Sequence, residues 1–115
     1  MHTTRTIRFT KSVDEIDFYA PVVPLSADSK PSDAVINIFP LIPEGSIIQV
    51  WVCNNGNDDE PAWENCTNAV LKKRIFYFEN EEKTAPEWGV KLRVKLQRGS
   101  AVGDVFITSI GGNFR

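Results

Sequence analysis

The sequence contains few of the residues from which enzyme active sites are built. Its single histidine is His2, in a polar N-terminal stretch, so a Ser-His-Asp or Cys-His arrangement has no base held in place. No P-loop, dinucleotide-binding fingerprint or zinc-ligand spacing occurs. We therefore expect no enzymatic activity, no catalytic residue and no cofactor.

Long apolar runs are also missing, which argues against a transmembrane helix. The first ten residues carry no apolar stretch of the kind found in secretory signals, and we therefore expect synthesis in the cytoplasm. The formal net charge of -2 gives no overall attraction to nucleic acid or to an anionic membrane. The sequence thus predicts neither a nucleic-acid partner nor a membrane partner.

Cysteine is scarce, with only Cys53 and Cys66 in 115 residues. Two cysteines are too few for a disulfide scaffold, although these two flank a loop and could pair across it. Two separate thiols are the favoured interpretation, because disulfides are rare in cytosolic proteins.

The clearest positive signal is an uninterrupted alternation of apolar and polar residues over residues 88–98, W-G-V-K-L-R-V-K-L-Q-R. The apolar positions are Val90, Leu92, Val94 and Leu96, and the polar positions are Lys91, Arg93, Lys95 and Gln97. A period of two is typical of a strand with one face in a core and the other in water. Antiparallel sheets tolerate such a wet face, so we expect an antiparallel sheet with a second layer beneath it.

Other short stretches indicate further strands, separated by turn signals and by one short helical turn. The strand candidates are residues 6–10, 16–23, 34–42, 46–53, 72–79 and 104–110, and the helical turn lies within 63–71, with Asn65 or Thr67 as its cap. A proline suits an edge position for 16–23, and the short 99–103 turn predicts a hairpin between the last two strands. Residues 25–33 are predicted to be a surface loop. We expect one all-β domain over residues 1–115, with 1–5 flexible: an antiparallel β-sandwich of six to eight strands, jelly-roll or immunoglobulin-like.

The loop N-N-G-N-D-D-E-P, residues 54–61, is the clearest loop in the chain. Its Asn55-Gly56 pair favours positive backbone angles and hence a turn. The carboxylates could serve a glycosidase or bind calcium, but the spacing is not that of an EF-hand and no apolar neighbour is there to raise a pKa. A solvated acidic loop is the favoured interpretation, and we expect no metal ligand.

Tryptophans and a row of basic residues are the remaining candidates for contact with a partner. Trp63 and Trp88 are favoured as core residues, whereas Trp51 shares its strand face with Gln49 and is either core or exposed at a contact. Lys91, Arg93 and Lys95 form a basic stripe that either binds an acidic surface or is a solvated outer face.

Motifs in the C-terminal half resemble those of a known protein family. They are the asparagine pair after a strand, P-x-W-E at 61–64, F-x-N at 78–80, W-x-V-x-L-R-V at 88–94 and S-I-G-G-x-F at 109–114. These features are similar to those of small virion structural proteins of tailed phages and prophages, chiefly of Gram-positive hosts. They fall between about Ile47 and Phe114.

The resemblance implies a non-enzymatic phage structural protein located in the virion. Its role would be head decoration (cementing) or head–tail accessory, its partners capsid or tail proteins, and its symmetric positions favour homo-oligomers. A carbohydrate-binding module of a tail tip or receptor-binding apparatus, with or without calcium, is the alternative. The residues expected to bind the partner are Trp51, Asn55, Asp58, Asp59, Glu60, Lys91, Arg93 and Lys95.

Overall fold

The structure is a computed structural model that describes residues 3–7, 15–21, 27–39, 45–100 and 109–115. Strands make up most of the regular structure in these ranges, and one five-residue helix, α1 (Thr67–Leu71), interrupts them. The strands are β1 Thr3–Ile7, β2 Glu15–Pro21, β3 Asp33–Phe39, β4 Ile47–Cys53, β5 Glu64–Asn65, β6 Phe76–Tyr77, β7 Lys91–Gln97 and β8 Ser109–Phe114.

These strands form two four-stranded antiparallel sheets within the described ranges. The first sheet has the order β1-β8-β3-β6 and the second the order β2-β7-β4-β5. The pairing is nested: β1 pairs with β8, β2 with β7, β3 with β6 and β4 with β5, and contacts of β3 with β8 and of β4 with β7 join the pairs. The predicted all-β class with antiparallel sheets is confirmed at this level.

The predicted hairpin between the last two strands is wrong for the strands that are described. β7 pairs with β2 on one side and with β4 on the other, whereas β8 lies in the first sheet. Both edges of β7 are therefore occupied by strands distant in sequence, and neither of them is β8.

β7 is one of the two inner strands of the second sheet, and its predicted alternation is confirmed residue by residue. Its seven residues pair with all of β2, from Glu15 opposite Gln97 to Pro21 opposite Lys91, and with all of β4. The buried positions are Val90, Leu92, Val94 and Leu96, each at most 2% exposed. The half-buried positions are Lys91, Arg93, Lys95 and Gln97.

β4 repeats this pattern, with one exception at its end. Ile48, Val50 and Val52 are buried on one face, as predicted, and Trp51 is half-buried on the other. Cys53, on the face of Trp51, is fully buried, and its Sγ lies 3.8 Å from the Lys91 carbonyl oxygen. Among the described residues both cysteines are free, which agrees with two separate thiols.

The helix lies where the sequence predicts a helical turn, but its ends differ from the prediction. Cys66 is the N-cap, and no side chain caps the helix there. Thr67 instead uses its hydroxyl to bond the backbone of Val50, and its N–H donates to Asn65 Oδ1 over 3.1 Å. The predicted strand 72–79 is reduced to Phe76–Tyr77, because residues 72–74 form the C-terminal turn of the helix.

Several predicted segments are only partly described. Residues 8–10, 22–23, 40–42 and 104–108 lie outside the described ranges, while β1 includes residues 3–5 and β8 continues through the glycine pair to Phe114. The 25–33 segment is not wholly a surface loop, since Ala27 is buried and bridges Trp88, and Pro31 is also buried.

The core draws on both sheets. It includes Ala34, Ile36 and Phe114 from the first sheet and the buried faces of β4 and β7 from the second, and α1 contributes Val70. α1 contacts β4 and β3. Within the described ranges, the structure contains no helix of the length and apolarity needed to cross a membrane.

Candidate binding surface on the second sheet

Strand register places three large side chains in one row across the second sheet. Tyr19 on β2 and Trp51 on β4 are both direct partners of Arg93 on β7. Directly opposed residues of antiparallel strands project from the same face, so the row lies on the face opposite the buried residues of β7. Half-burial of Trp51 and Arg93 and 60% exposure of Tyr19 agree with an outer face.

Arg93 is fixed in this row by Asp17. The guanidinium donates from Nε to Asp17 Oδ1 over 3.1 Å and from Nη2 to Asp17 Oδ2 over 2.9 Å. This two-pronged geometry is the strong form of an arginine–carboxylate contact. The Arg93 hydrogen bonds hold the pKa of Asp17 below its usual value, and those same bonds raise the pKa of Arg93.

The same guanidinium contacts two aromatic rings. Its Cζ atom lies 4.8 Å from the ring centroid of Trp51 and 5.2 Å from that of Tyr19, both within range of a cation–π interaction. Trp63, from the segment before β5, adds a third ring 5.5 Å from that of Tyr19 and tilted by 58°. We call the set Asp17, Tyr19, Trp51, Trp63 and Arg93 the aromatic–arginine face.

Two of the residues predicted to bind a partner, Trp51 and Arg93, meet in this face. Lys91 and Lys95 flank Arg93 on the same side of β7, since they alternate with its buried residues. The predicted basic stripe is therefore one strand face, but its central cation is held by an ion pair and two rings. Trp88 is buried, which confirms the core interpretation for it, whereas Trp63 is half-buried and packs on Tyr19.

The other predicted residues belong to the 54–61 loop, which folds inward at its start. Asn55 is only 5% exposed, and its amide group bonds Asp58 Oδ2, the Glu82 carbonyl and the Ala62 N–H. Asp59 and Glu60 remain exposed. The structure thus places Asn55 in a supporting position and leaves the outer carboxylates available for contact.

Asp58 anchors the loop to residues 84–85. Its two carboxylate oxygens accept the N–H groups of Thr84 and Ala85 over 2.9 and 2.8 Å. Partial desolvation tends to raise the pKa of Asp58, but these N–H groups and the Asn55 amide outweigh it and hold the pKa below its usual value. The carboxylate therefore serves the fold of the loop.

A glycine is required at position 56 because neighbouring atoms leave no room for a Cβ atom, and not because φ is positive there. The predicted positive backbone angle at Asn55-Gly56 is therefore wrong. The described glycines with positive φ are Gly45 and Gly99, at 90° and 58°. Gly56 instead donates its N–H to the Gly89 carbonyl over 2.7 Å, and a Cβ atom there would lie 2.8 Å from Lys91 Cγ.

A hydrogen-bonded pair of asparagines, one buried and one half-buried, joins this loop to the next one. Asn54 is fully buried and exchanges hydrogen bonds with Asn80, whose Nδ2 donates to Asn54 Oδ1 over 2.8 Å while Asn54 Nδ2 donates to the Asn80 carbonyl over 2.9 Å. The Glu64 carboxylate accepts the Glu79 N–H, which ties the 79–82 segment to β5. Hydrogen bonds therefore tie these loops to each other and to the second sheet.

Little in the described residues suggests metal or nucleophile chemistry. No group of three or more His, Cys, Asp or Glu side chains is arranged to hold a metal ion in those ranges. Burial raises the pKa of Cys53 to about 11 and that of Cys66 to about 12, so both thiols are protonated at neutral pH. The expectation that the protein is not an enzyme stays a prediction.

Comparisons with known proteins identify no family, relative or structural neighbour of the chain. No protein-family model, curated protein or solved structure matches it. The aromatic–arginine face is therefore identified as a candidate binding surface from its geometry alone.

Sequence reasoning missed two members of that face, Asp17 and Tyr19, and wrongly favoured the core for a third, Trp63. The spacing of two between Asp17 and Tyr19 within a predicted strand puts them on one side, with a carboxylate and a ring that match a basic stripe. Recognising them required knowing that β2 pairs with β7, which no local pattern indicates.

Proposed function

We propose that this chain is a non-enzymatic structural protein of a phage particle, a head-decoration or head–tail accessory protein that binds the particle through its aromatic–arginine face. The observation that carries the proposal is Arg93, held by Asp17 and in contact with the rings of Trp51 and Tyr19 on a partly exposed sheet face. Tryptophan, tyrosine and arginine are the residues that most often dominate binding energy at protein interfaces.

Preorganisation strengthens this proposal. A free arginine loses side-chain entropy when a partner immobilises it, whereas Arg93 already has its plane fixed by two hydrogen bonds. Tyr19 combines 60% exposure with two ring contacts, so it presents a large apolar surface at low entropic cost. A partner therefore meets a surface that needs little rearrangement.

The fold fits the proposed role. We propose that the two sheets pack face to face as a jelly-roll β-sandwich, supported by a core that draws on both sheets and by the nested pairing of β1 with β8 through β4 with β5. Such pairing results when one long antiparallel hairpin is rolled up. Jelly rolls occur in viral capsid domains and in lectins, an association of fold alone.

The second candidate is a carbohydrate-binding module, favoured by three aromatic rings on one sheet face. Sugars stack on flat, exposed rings, but the rings of Tyr19 and Trp63 are tilted by 58°, and the guanidinium of Arg93 contacts Tyr19 and Trp51. The geometry therefore favours an irregular protein surface over a sugar ring.

Binding to particles tests the proposal. Particles made by the phage or prophage that encodes the chain, with its reading frame deleted, are mixed with pure protein and sedimented. We expect saturable, stoichiometric binding to heads or to the head–tail junction. Absence of binding to any particle, together with binding on a glycan array that Trp51→Ala abolishes, would replace the proposal by the carbohydrate-binding function.

A further inference from the structure

Residues 71–77 form an exposed corner between α1 and β6 that the proposed function does not use. Three large apolar side chains are exposed there: Leu71 at 55%, Ile75 at 40% and Tyr77 at 65%. Between them lie three exposed cations, Lys72, Lys73 and Arg74. We call this segment the basic corner.

The backbone of the basic corner is held in a specific turn. The Lys73 N–H donates to the Val70 carbonyl and the Arg74 N–H to the Ala69 carbonyl, the pair of bonds that closes a Schellman motif. Lys73 takes the left-handed position of that motif, with φ of 53°, where glycine is strongly preferred. Lys73 is therefore a non-glycine residue held in a strained backbone conformation.

Two of the three charges in the corner, those of Lys72 and Arg74, have no local partner among the described residues. The side chains of Lys72 and Arg74 make no ion pair or hydrogen bond within the described part of the chain, where each residue bonds only through its backbone. Exposed apolar side chains next to the unpaired charges of Lys72 and Arg74 are the composition of a contact surface rather than of a solvated loop.

The matching surface lies on the same chain, in a cleft of about 700 Å³ between the 55–60 loop and residues 80–84. Four carboxylates and one lysine line it, Asp58, Glu60, Glu81, Glu82 and Lys83. The Asp58 carboxylate accepts two backbone N–H groups, and Glu81 forms an ion pair with Lys30 at 3.4 Å. Glu60 and Glu82 are therefore the carboxylates of the cleft that we expect to pair with a partner's cations.

We infer that the basic corner docks into this cleft on a second copy of the chain, in a two-fold dimer. Only three residues lie between Tyr77 at the corner and Glu81 at the cleft, so these two residues are at most about 14 Å apart. A two-fold axis between them brings each corner against the partner's cleft, and the contact forms twice. This contact between copies goes beyond the proposed function and does not involve the aromatic–arginine face.

Charge exchange between two variants tests the dimer. Lys72→Glu/Arg74→Glu makes the corner acidic, and Glu60→Lys/Glu82→Lys makes the cleft basic; all four side chains are exposed, so both variants are expected to fold. Sedimentation velocity should show the wild-type chain as a dimer, with a dissociation constant that rises about tenfold or more from low to high salt. Each variant alone should be monomeric, because both of its contacts are repulsive.

The decisive sample is the equimolar mixture of the two variants. In a mixed dimer the acidic corner meets the basic cleft and the basic corner meets the acidic cleft, so the dimer should return. Lys72→Arg/Arg74→Lys keeps the charges and should dimerise like the wild type. A wild-type chain that remains monomeric, or a mixture no more associated than its components, overturns the inference.

Discussion

Arg93 and Asp17 are 76 residues apart in sequence, yet two hydrogen bonds of 2.9 and 3.1 Å join them on adjacent strands. Their contact is what sets the plane of the guanidinium against Trp51 and Tyr19. The aromatic–arginine face is therefore a product of tertiary pairing, and its integrity can be measured separately from its binding.

Acid should weaken the Arg93–Asp17 contact in a defined direction. Because the Arg93 hydrogen bonds lower the pKa of Asp17 in the folded state, the contact stabilises the fold above the unfolded pKa of about 3.9. That stabilisation is lost as pH falls through the lower folded value. We expect Asp17→Asn to lower the thermal midpoint at pH 7, and the difference from wild type to shrink in strong acid.

Asp28→Asn is the control for this measurement, since Asp28 is exposed and makes no ion pair among the described residues. Asp28→Asn should leave the thermal midpoint unchanged both at pH 7 and in strong acid. An Asp17→Asn effect that is equally large in strong acid would show that the amide disturbs packing rather than an ion pair.

Gly56→Ala should destabilise the protein by about 1 to 3 kcal/mol, a usual range for overpacking. The added Cβ would lie 2.8 Å from Lys91 Cγ and 3.0 Å from the Gly89 carbonyl oxygen. Urea unfolding measures the loss. The double variant Gly56→Ala/Lys91→Ala lacks the contact with Lys91 Cγ. Gly56→Ala should therefore lower the free energy of unfolding less in the Lys91→Ala background than in the wild type. Full tolerance of the single substitution would contradict the close approach.

Lys73→Gly should stabilise the protein by about 1 kcal/mol, because the left-handed conformation costs an L-residue that much and glycine almost nothing. Lys72→Gly is the matched control: its φ of -93° suits any residue, so glycine there should destabilise by about 0.5 to 1 kcal/mol. Equal effects of the two glycines on chemical denaturation would argue against the strained turn.

Both cysteines should be slow to react in the folded protein. The thiolate is the reactive form, and burial raises the pKa of Cys53 to about 11 and that of Cys66 to about 12. Alkylation by iodoacetamide at pH 8, followed by mass spectrometry, should be far slower in buffer than in denaturant. Comparable rates in the two conditions would mean that the thiols are accessible.

The sequence predicts those parts of the fold that depend on local pattern. The alternation around Val94 identifies β7 and its buried face correctly, and the same reasoning applies to β4 around Val50. Period-two patterning works here because each of these strands has one face in the core.

Pairing between distant strands could not be predicted in this way. The short turn after β7 favours a hairpin, but nested pairing places β7 and β8 in different sheets. For the same reason Asp17 and Tyr19 were missed as neighbours of Arg93, and Asn55 was expected at the surface although it is buried. Such features are set by long-range contacts, which leave no trace in local composition.

The central claim is that the aromatic–arginine face binds the particle, and a matched pair of tyrosines tests it most directly. Tyr19 and Tyr77 are exposed by 60% and 65%, and only Tyr19 belongs to the face. Affinity for particles lacking the protein is measured at chain concentrations below self-association. Tyr19→Ala should cost about 2 kcal/mol, or roughly thirtyfold in affinity, while Tyr77→Ala should stay within about twofold. Equal affinities for the two variants would contradict the claim.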